Sequence, residues 1–177
     1  MKKTIKKLCI AIFLFGTINY AYAQTTPKDI YLGLGAGFDY GGIGGKIEYL
    51  PTKNFGLFGG LGHNMLSIGW NAGVTYKIMP DKKASPNLMI FYGYNSTYTG
   101  EDSYSEKYNM TSYGFTFGIN VDIKTKSGNK WSFGLFFPIR SSKFNRNYDA
   151  AKDDPEVNHL FESDMPVGIS AGYNFKL

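Results

Sequence analysis

Charged side chains recur at alternate positions within otherwise apolar segments of the sequence. Lys46 and Glu48 are two residues apart, a spacing that puts both on one face of a β-strand. Later segments hold the other members of this set, Lys77, Asp122 and Arg140. Charges in a protein interior must pair, because an unpaired buried charge is costly. The set therefore predicts a polar network that fills a narrow interior, and the alternative is the lining of a narrow, gated pore.

His63 and Ser67 are the residues that could form a catalytic pair. A histidine base can activate a serine hydroxyl as a nucleophile, provided that a third group orients the imidazole. The two residues are four positions apart, fall on opposite faces of the alternating pattern, and have no clearly placed acidic residue nearby. We therefore favour an interfacial polar role for His63, predict no catalytic residue, and do not expect an enzyme.

Metal and cofactor sites have little support in the sequence. His63 and His159 are the only histidines and are far apart, whereas a metal site gathers its ligands. The acidic segment 148–164 lacks the ligand spacing of a calcium loop. The glycine-rich runs 33–37 and 41–45 precede no helix, so they lack the helix N-terminus that binds phosphate. We expect no metal and no cofactor.

Residues 1–23 have the features of a secretory signal peptide. Four lysines precede the apolar run 8–15, and an A-x-A cleavage site ends at Ala23. Cleavage would leave residues 24–177 as one domain of nearly neutral charge, because fifteen of the 19 basic residues would face 14 acidic ones. Cys9, the only cysteine, would be removed. A chain without a basic patch gives no support for nucleic-acid binding.

Bulky residues alternate with small or polar ones in eight segments after the signal peptide. These segments cover residues 30–40, 42–50, 55–63, 67–78, 88–98, 113–124, 131–140 and 167–177. Each is long enough to cross a bilayer as a tilted strand. An even number of antiparallel strands can close without an exposed edge. The pattern predicts an all-β, eight-stranded antiparallel up-and-down transmembrane β-barrel.

The composition of the two alternating faces indicates which face points outward. One face carries the large aliphatic and aromatic residues, Phe38 and Tyr40 among them, and the other is mostly glycine with scattered polar residues. Glycine on a solvated strand face weakens the strand and covers nothing, whereas small side chains relieve crowding inside a narrow barrel. We expect the bulky face to contact lipid and the glycine face to line the lumen. Asp39 belongs to the lumen set, and Tyr31 is expected as an inward-pointing exception.

The C-terminal residues resemble the signal that ends outer-membrane barrels. Ser170, Gly172 and Phe175 match its alternation, while Leu177 stands where an aromatic residue is usual. In size and pattern, residues 29–177 resemble the small eight-stranded outer-membrane barrels of the OmpA and OmpX type from Gram-negative cells. The resemblance implies contact with outer-membrane lipid and lipopolysaccharide, insertion by the barrel assembly machinery, and a monomer.

The connections between the segments would then lie on two sides of the membrane. The periplasmic set covers 51–54, 79–87 and 125–130, and the external set covers 41–44, 64–67, 99–111 and 143–164. The two longest connections are external, as the resemblance implies. The periplasmic turns carry mostly lysine, Lys130 among them, and the two longest external loops are mostly acidic.

The expected role is structural or one of surface interaction in the cell envelope. Aromatic residues in the two long external loops are the candidate contacts with an envelope or host protein, although such residues also pack loops against a barrel rim. These residues are Tyr104, Tyr108, Phe144 and Tyr148. The alternatives are a lipid-modifying enzyme centred on His63 and a narrow, porin-like channel.

Overall fold

The structure, a computed structural model, describes residues 28–101, 107–152, 158–162 and 166–177. The predicted signal peptide and Tyr104 lie outside these ranges. The strands are β1 (Asp29–Gly37), β2 (Gly42–Leu50), β3 (Phe55–His63), β4 (Ile68–Lys77), β5 (Ala84–Glu101), β6 (Lys107–Lys124), β7 (Lys130–Pro138), β8 (Asn158–Glu162) and β9 (Gly168–Lys176). A 3-10 helix, η1 (Phe38–Tyr40), follows β1, and an α-helix, α1 (Ser142–Lys152), follows β7.

Eight of the nine strands form one closed antiparallel barrel. Neighbouring strands pair in chain order from β1 to β7, and β9 pairs with both β7 and β1 to close the ring. The short strand β8 adds to the far end of β5. This confirms the predicted all-β, eight-stranded up-and-down barrel. In the described ranges, no helix is both long enough and apolar enough to span a bilayer.

The strand boundaries match the sequence pattern to within about three residues except in β5 and β6. The segment 55–63 coincides with β3, but β5 and β6 each run for 18 residues. The predicted loop 99–111 is therefore mostly strand, paired as in Thr99 with Asn109. Serine, threonine and asparagine occupy both faces there. These two strands therefore continue without the alternation of bulky and small residues by which the other strands were predicted.

The barrel is inside-out in its distribution of apolar side chains. Leu34 and Ile169 on the outer wall are 62% and 71% exposed, whereas Lys77 on the inner wall is 4% exposed. Each of the eight barrel strands contributes large exposed apolar residues, and the inner wall holds the charged, amide, hydroxyl and glycine residues. The predicted assignment of the two faces is confirmed for most strand positions, and Tyr31 points inward as the expected exception. The assignment is wrong at Tyr94 of β5, which alternation placed on the outer face. Tyr94 is 6% exposed and lies at the register shift between Tyr94 and Ser96.

The assignment is wrong at the end of β1. The strand stops at Gly37, which has a φ of 131° that glycine adopts readily and other residues rarely do. The chain then turns into η1 inside the lumen. Tyr40 is fully buried and Phe38 packs against the lumen interior, although alternation placed both on the outer face. The turn returns to the wall through Gly41 and Gly42, which also have positive φ.

Candidate functional site: the filled lumen

Four buried charges cluster inside the barrel, close to the end that carries the short turns 51–54, 78–83 and 125–129. Nζ of Lys77 lies 2.6 Å from Oδ2 of Asp122 and 3.2 Å from Oε1 of Glu48. Nζ of Lys130 lies 2.7 Å from the same Asp122 oxygen and also contacts Oε2 of Glu48. Each ammonium therefore meets both carboxylates. We call these four residues the charge cluster.

The strands position the charge cluster by register and alternation. Ser132 of β7 is paired with Asp122 of β6, and its hydroxyl donates to Oδ1 of Asp122 at 2.6 Å. Nδ2 of Asn174 in turn donates to the Ser132 oxygen at 2.9 Å. Nζ of Lys130 lies 4.5 Å from the centre of the Tyr31 ring, within range of a cation–π contact. Ser132, Asn174 and Tyr31 thus contribute to holding the cluster in place.

A second ion pair ties η1 to the barrel wall. Nζ of Lys46 donates to Oδ2 of Asp39 and lies 4.3 Å from the centre of the Tyr40 ring. The Tyr40 hydroxyl donates to Oδ1 of Asn174 at 3.4 Å, and Nδ2 of Asn71 donates to the Phe38 carbonyl oxygen. Strands β2, β4 and β9 therefore each hold one residue of the inserted turn.

Glycines on the inner wall leave the space that η1 occupies. A Cβ added at Gly35 would lie 2.7 Å from Cζ of Tyr40, and one at Gly60 would meet the backbone of Asp39. Gly62 and Gly172 face the same turn in the same way. These inner-face glycines therefore make room for one specific segment, η1. This explains their positions more fully than a general need for small side chains in a narrow barrel.

An apolar layer fills the lumen beside η1. Phe91 packs edge-to-face against Phe58 and Phe136, with ring centres 5.7 and 5.4 Å apart, and Met89 completes the buried group. A cavity of about 10 Å³ remains between this layer and the charge cluster. That is the space of a single water molecule, so the lumen is filled between the apolar layer and the charge cluster.

No family model, no curated protein and no solved structure matches this chain. The chemistry of the lumen therefore follows from its own geometry. Two ammonium groups and two carboxylates neutralise each other in the charge cluster, which suits the cross-linking of strands better than the recognition of a charged ligand. Among the described residues, no group of histidine, cysteine, aspartate and glutamate could hold a metal ion.

Four of the five predicted network residues form the lumen ion pairs described above, and the fifth, Arg140, lies towards the other end of the barrel. Arg140 follows the end of β7, eight residues beyond Ser132. The end of β7 at Pro138 is already about 20 Å from Ser132 along the strand, at roughly 3.3 Å per residue, so Arg140 lies far from the charge cluster.

Lys130 is the residue that sequence reasoning misplaced. It was expected in a periplasmic turn, but it is the first residue of β7 and is 3% exposed at the centre of the charge cluster. Alternation could have placed it correctly, because Lys130, Ser132 and Gly134 lie two residues apart and all share the inward face. Lys130 was instead assigned to the adjacent turn, because 125–130 was predicted as a single connection.

At the opposite end of the barrel, α1 packs onto the extension of β5. The Tyr148 ring meets the Tyr98 ring edge-to-face at 5.4 Å and stacks on Phe144 at 6.2 Å. Phe144 and Tyr148 are 5% and 4% exposed. Both rings therefore pack against the extended end of β5. Tyr104 and the side chain of Tyr108 lie outside the described part of the chain.

His63 and Ser67 stabilise the turn between β3 and β4. Nδ1 of His63 accepts the backbone N–H of Met65 at 3.2 Å, and the Ser67 hydroxyl donates to Oδ1 of Asn64 at 3.3 Å. The same Asn64 oxygen accepts the Ser67 N–H at 2.8 Å. Both side chains therefore make hydrogen bonds within the turn itself.

Proposed function

We propose that this chain is an outer-membrane β-barrel, similar to the OmpA and OmpX type, with a structural or surface-interaction role and neither catalytic nor transport activity. The observation that carries the proposal is the inside-out barrel, in which exposed apolar residues come from all eight wall strands. Soluble monomers rarely expose apolar patches beyond a few hundred Å². In a hydrocarbon environment these side chains would not contact water, so the free-energy cost of exposing apolar surface would not arise.

Aromatic residues on the outer wall also support insertion into a bilayer. Trp131 and Tyr173 contact each other near the short-turn end, with ring centres 4.9 Å apart. Trp70 and Tyr113 contact each other towards the other end, at 6.0 Å. Two aromatic bands that flank an apolar band are typical of strands that cross both interfaces of a membrane.

The filled lumen supports a role other than transport. A porin-like channel needs a continuous polar path, and here the charge cluster, η1 and the apolar layer around Phe91 lie across the interior. Small eight-stranded barrels commonly fill their interiors with side chains. The local hydrogen bonds of His63 and Ser67 favour a non-enzymatic role over lipid modification.

The decisive experiment measures migration of the protein on SDS gels with and without boiling, on separated membrane fractions. We expect heat-modifiable mobility in the outer-membrane fraction. Protease added to intact cells should cut only within 102–106 and 139–167, at the end away from the short turns. Recovery as a soluble periplasmic protein would overturn membrane insertion, and stepwise conductance in a planar bilayer would overturn the filled-lumen role.

A further inference from the structure

An apolar crevice opens at the rim of the barrel, at the end away from the short turns. Its volume is about 160 Å³, and it is lined by Gly37, Phe38, Gly42, Tyr94, Val167, Gly168 and Ile169. The rings of Phe38 and Tyr94 form its floor in an edge-to-face contact with centres 5.8 Å apart. Tyr94 lines the crevice, and its hydroxyl is hydrogen-bonded to Oγ1 of Thr97 at 2.8 Å.

The crevice exists because two neighbouring strands separate there. β1 pairs with β9 as far as Gly37 opposite Ser170, and then turns inward as η1. β9 begins two residues further out, at Gly168, where its pairing is with Phe136 of β7. A notch is therefore left in the wall beside Gly168 and Ile169. Gly168 is needed at its edge, because an added Cβ would collide with the Phe38 ring.

The notch joins the crevice to the outer apolar surface. Ile169 lines the crevice and is 71% exposed, and Ile43, next to the lining residue Gly42, is 72% exposed. No charged side chain lines the crevice within the described ranges. An apolar occupant can therefore enter from the side or from the rim, while a polar head group stays outside.

We propose that this crevice binds the hydrocarbon tail of a single-chain amphiphile, a fatty acid in the simplest case. A dry apolar cavity of about 150 Å³ accommodates benzene, so the space suits roughly the last six carbons of a chain. The tail would rest on the Phe38 and Tyr94 rings, and the carboxylate would face the solvent at the rim. This inference rests on the proposed membrane insertion, since the notch opens onto the lipid-facing wall.

The test is photo-cross-linking with a fatty acid that carries a diazirine at its terminal carbon, added to the protein folded in phosphatidylcholine vesicles. A chain dissolved in the bilayer labels outer-wall residues such as Leu135, whereas a chain in the crevice labels Phe38 or Tyr94. We expect both labels, and excess unlabelled fatty acid should abolish only the label on Phe38 and Tyr94.

A pair of variants makes the test specific. Val167→Phe fills the crevice from its half-buried edge, and we expect labelling of Phe38 and Tyr94 to fall about tenfold because the added ring takes up the space. Leu61→Phe, a matched change on the exposed wall of β3, should leave it unchanged. Label on Leu135 without label on Phe38 or Tyr94 would overturn the crevice proposal alone. Absence of label from both would contradict membrane insertion itself.

Discussion

Nζ of Lys77 on β4 lies 2.6 Å from Oδ2 of Asp122 on β6, although β5 separates the two strands in the barrel wall. The contact spans the interior because both side chains point into the same narrow lumen. Through Glu48 and Lys130 the charge cluster also joins β2 and β7. The charge cluster thereby links four strands through ion pairs, although not all of these strands are neighbours in the barrel wall.

Removal of one ammonium from the charge cluster should destabilise the barrel strongly. Lys130→Met leaves Glu48 and Asp122 with only Lys77 between them, and breaking a buried pair in this way costs about 3–5 kcal/mol. The measurement is urea-induced unfolding in lipid vesicles, followed by tryptophan fluorescence. Lys53→Met is the control, because the Lys53–Asp81 pair is mostly exposed and such pairs contribute about 0–1 kcal/mol.

The same cluster predicts strong coupling between its members. Lys130→Met combined with Glu48→Gln removes one charge of each sign and leaves a Lys77–Asp122 pair. The double variant should lose less stability than the sum of the single variants, by about 0.5–3 kcal/mol. Simple additivity of the two free energies of unfolding would contradict the proposed cross-linking role.

The fit between inner-wall glycines and η1 predicts a position-dependent effect of alanine. Gly172→Ala places a methyl group against the Tyr40 ring and hydroxyl, and overpacking of this kind costs about 1–3 kcal/mol. Gly45→Ala is the control, because its nearest neighbour would be the Gly33 carbonyl oxygen at 3.6 Å. The measurement is the midpoint of urea unfolding. Equal effects of the two substitutions would contradict the inserted position of Tyr40.

Loss of the Phe144 ring should loosen α1 without opening the barrel. Phe144→Ala removes a buried ring from Tyr148 and Tyr98, and such truncations cost about 3–5 kcal/mol where the site cannot collapse. Hydrogen exchange should accelerate in 142–152, while heat-modifiable mobility persists, since local elements open independently of the core. Lys143→Ala, an exposed neighbour on the same helix, should leave exchange unchanged.

A charge on the outer wall should impair folding into a bilayer. Leu135→Arg places a guanidinium near the middle of the exposed face of β7, where such substitutions cost about 2–4 kcal/mol at the bilayer midplane. Ala150→Arg, at an exposed position of α1, is the control and should cost little. The measurement is the folded fraction after dilution from urea into vesicles. Equal folding of the two variants would contradict a lipid-facing wall.

Alternation was sufficient to predict the barrel strands wherever one face is bulky and the other small. In β3 and in the inner part of β6 the two faces differ sharply, so strand type and orientation followed directly from the sequence. The outer halves of β5 and β6 could not be recognised in this way, because pairs such as Ser96 with Ser112 and Thr97 with Thr111 are small and polar on either face.

The lumen was only partly predictable for a related reason. The alternation of positions along each strand identified Lys46, Glu48, Lys77 and Asp122 as inward residues, and the structure places all four in lumen ion pairs. Alternation cannot say which residues meet across the barrel, because that depends on how far each strand is displaced along its neighbour. Lys130 and Asp39 became the partners of these residues through strand register and the inward turn, respectively.

The sequence by itself determined the all-β class, the number of wall strands and the outward position of the bulky residues, because a period of two residues assigns side chains to two faces. The tertiary structure alone decided what fills the lumen. Gly37 ends the alternation, η1 then enters a space that exists only once the ring of strands has closed, and Lys46, Asn71 and Asn174 from three strands hold it there. The contacts of Asn71 and Asn174 join residues 33 and 134 positions apart in the chain, and they have no local signature in the sequence.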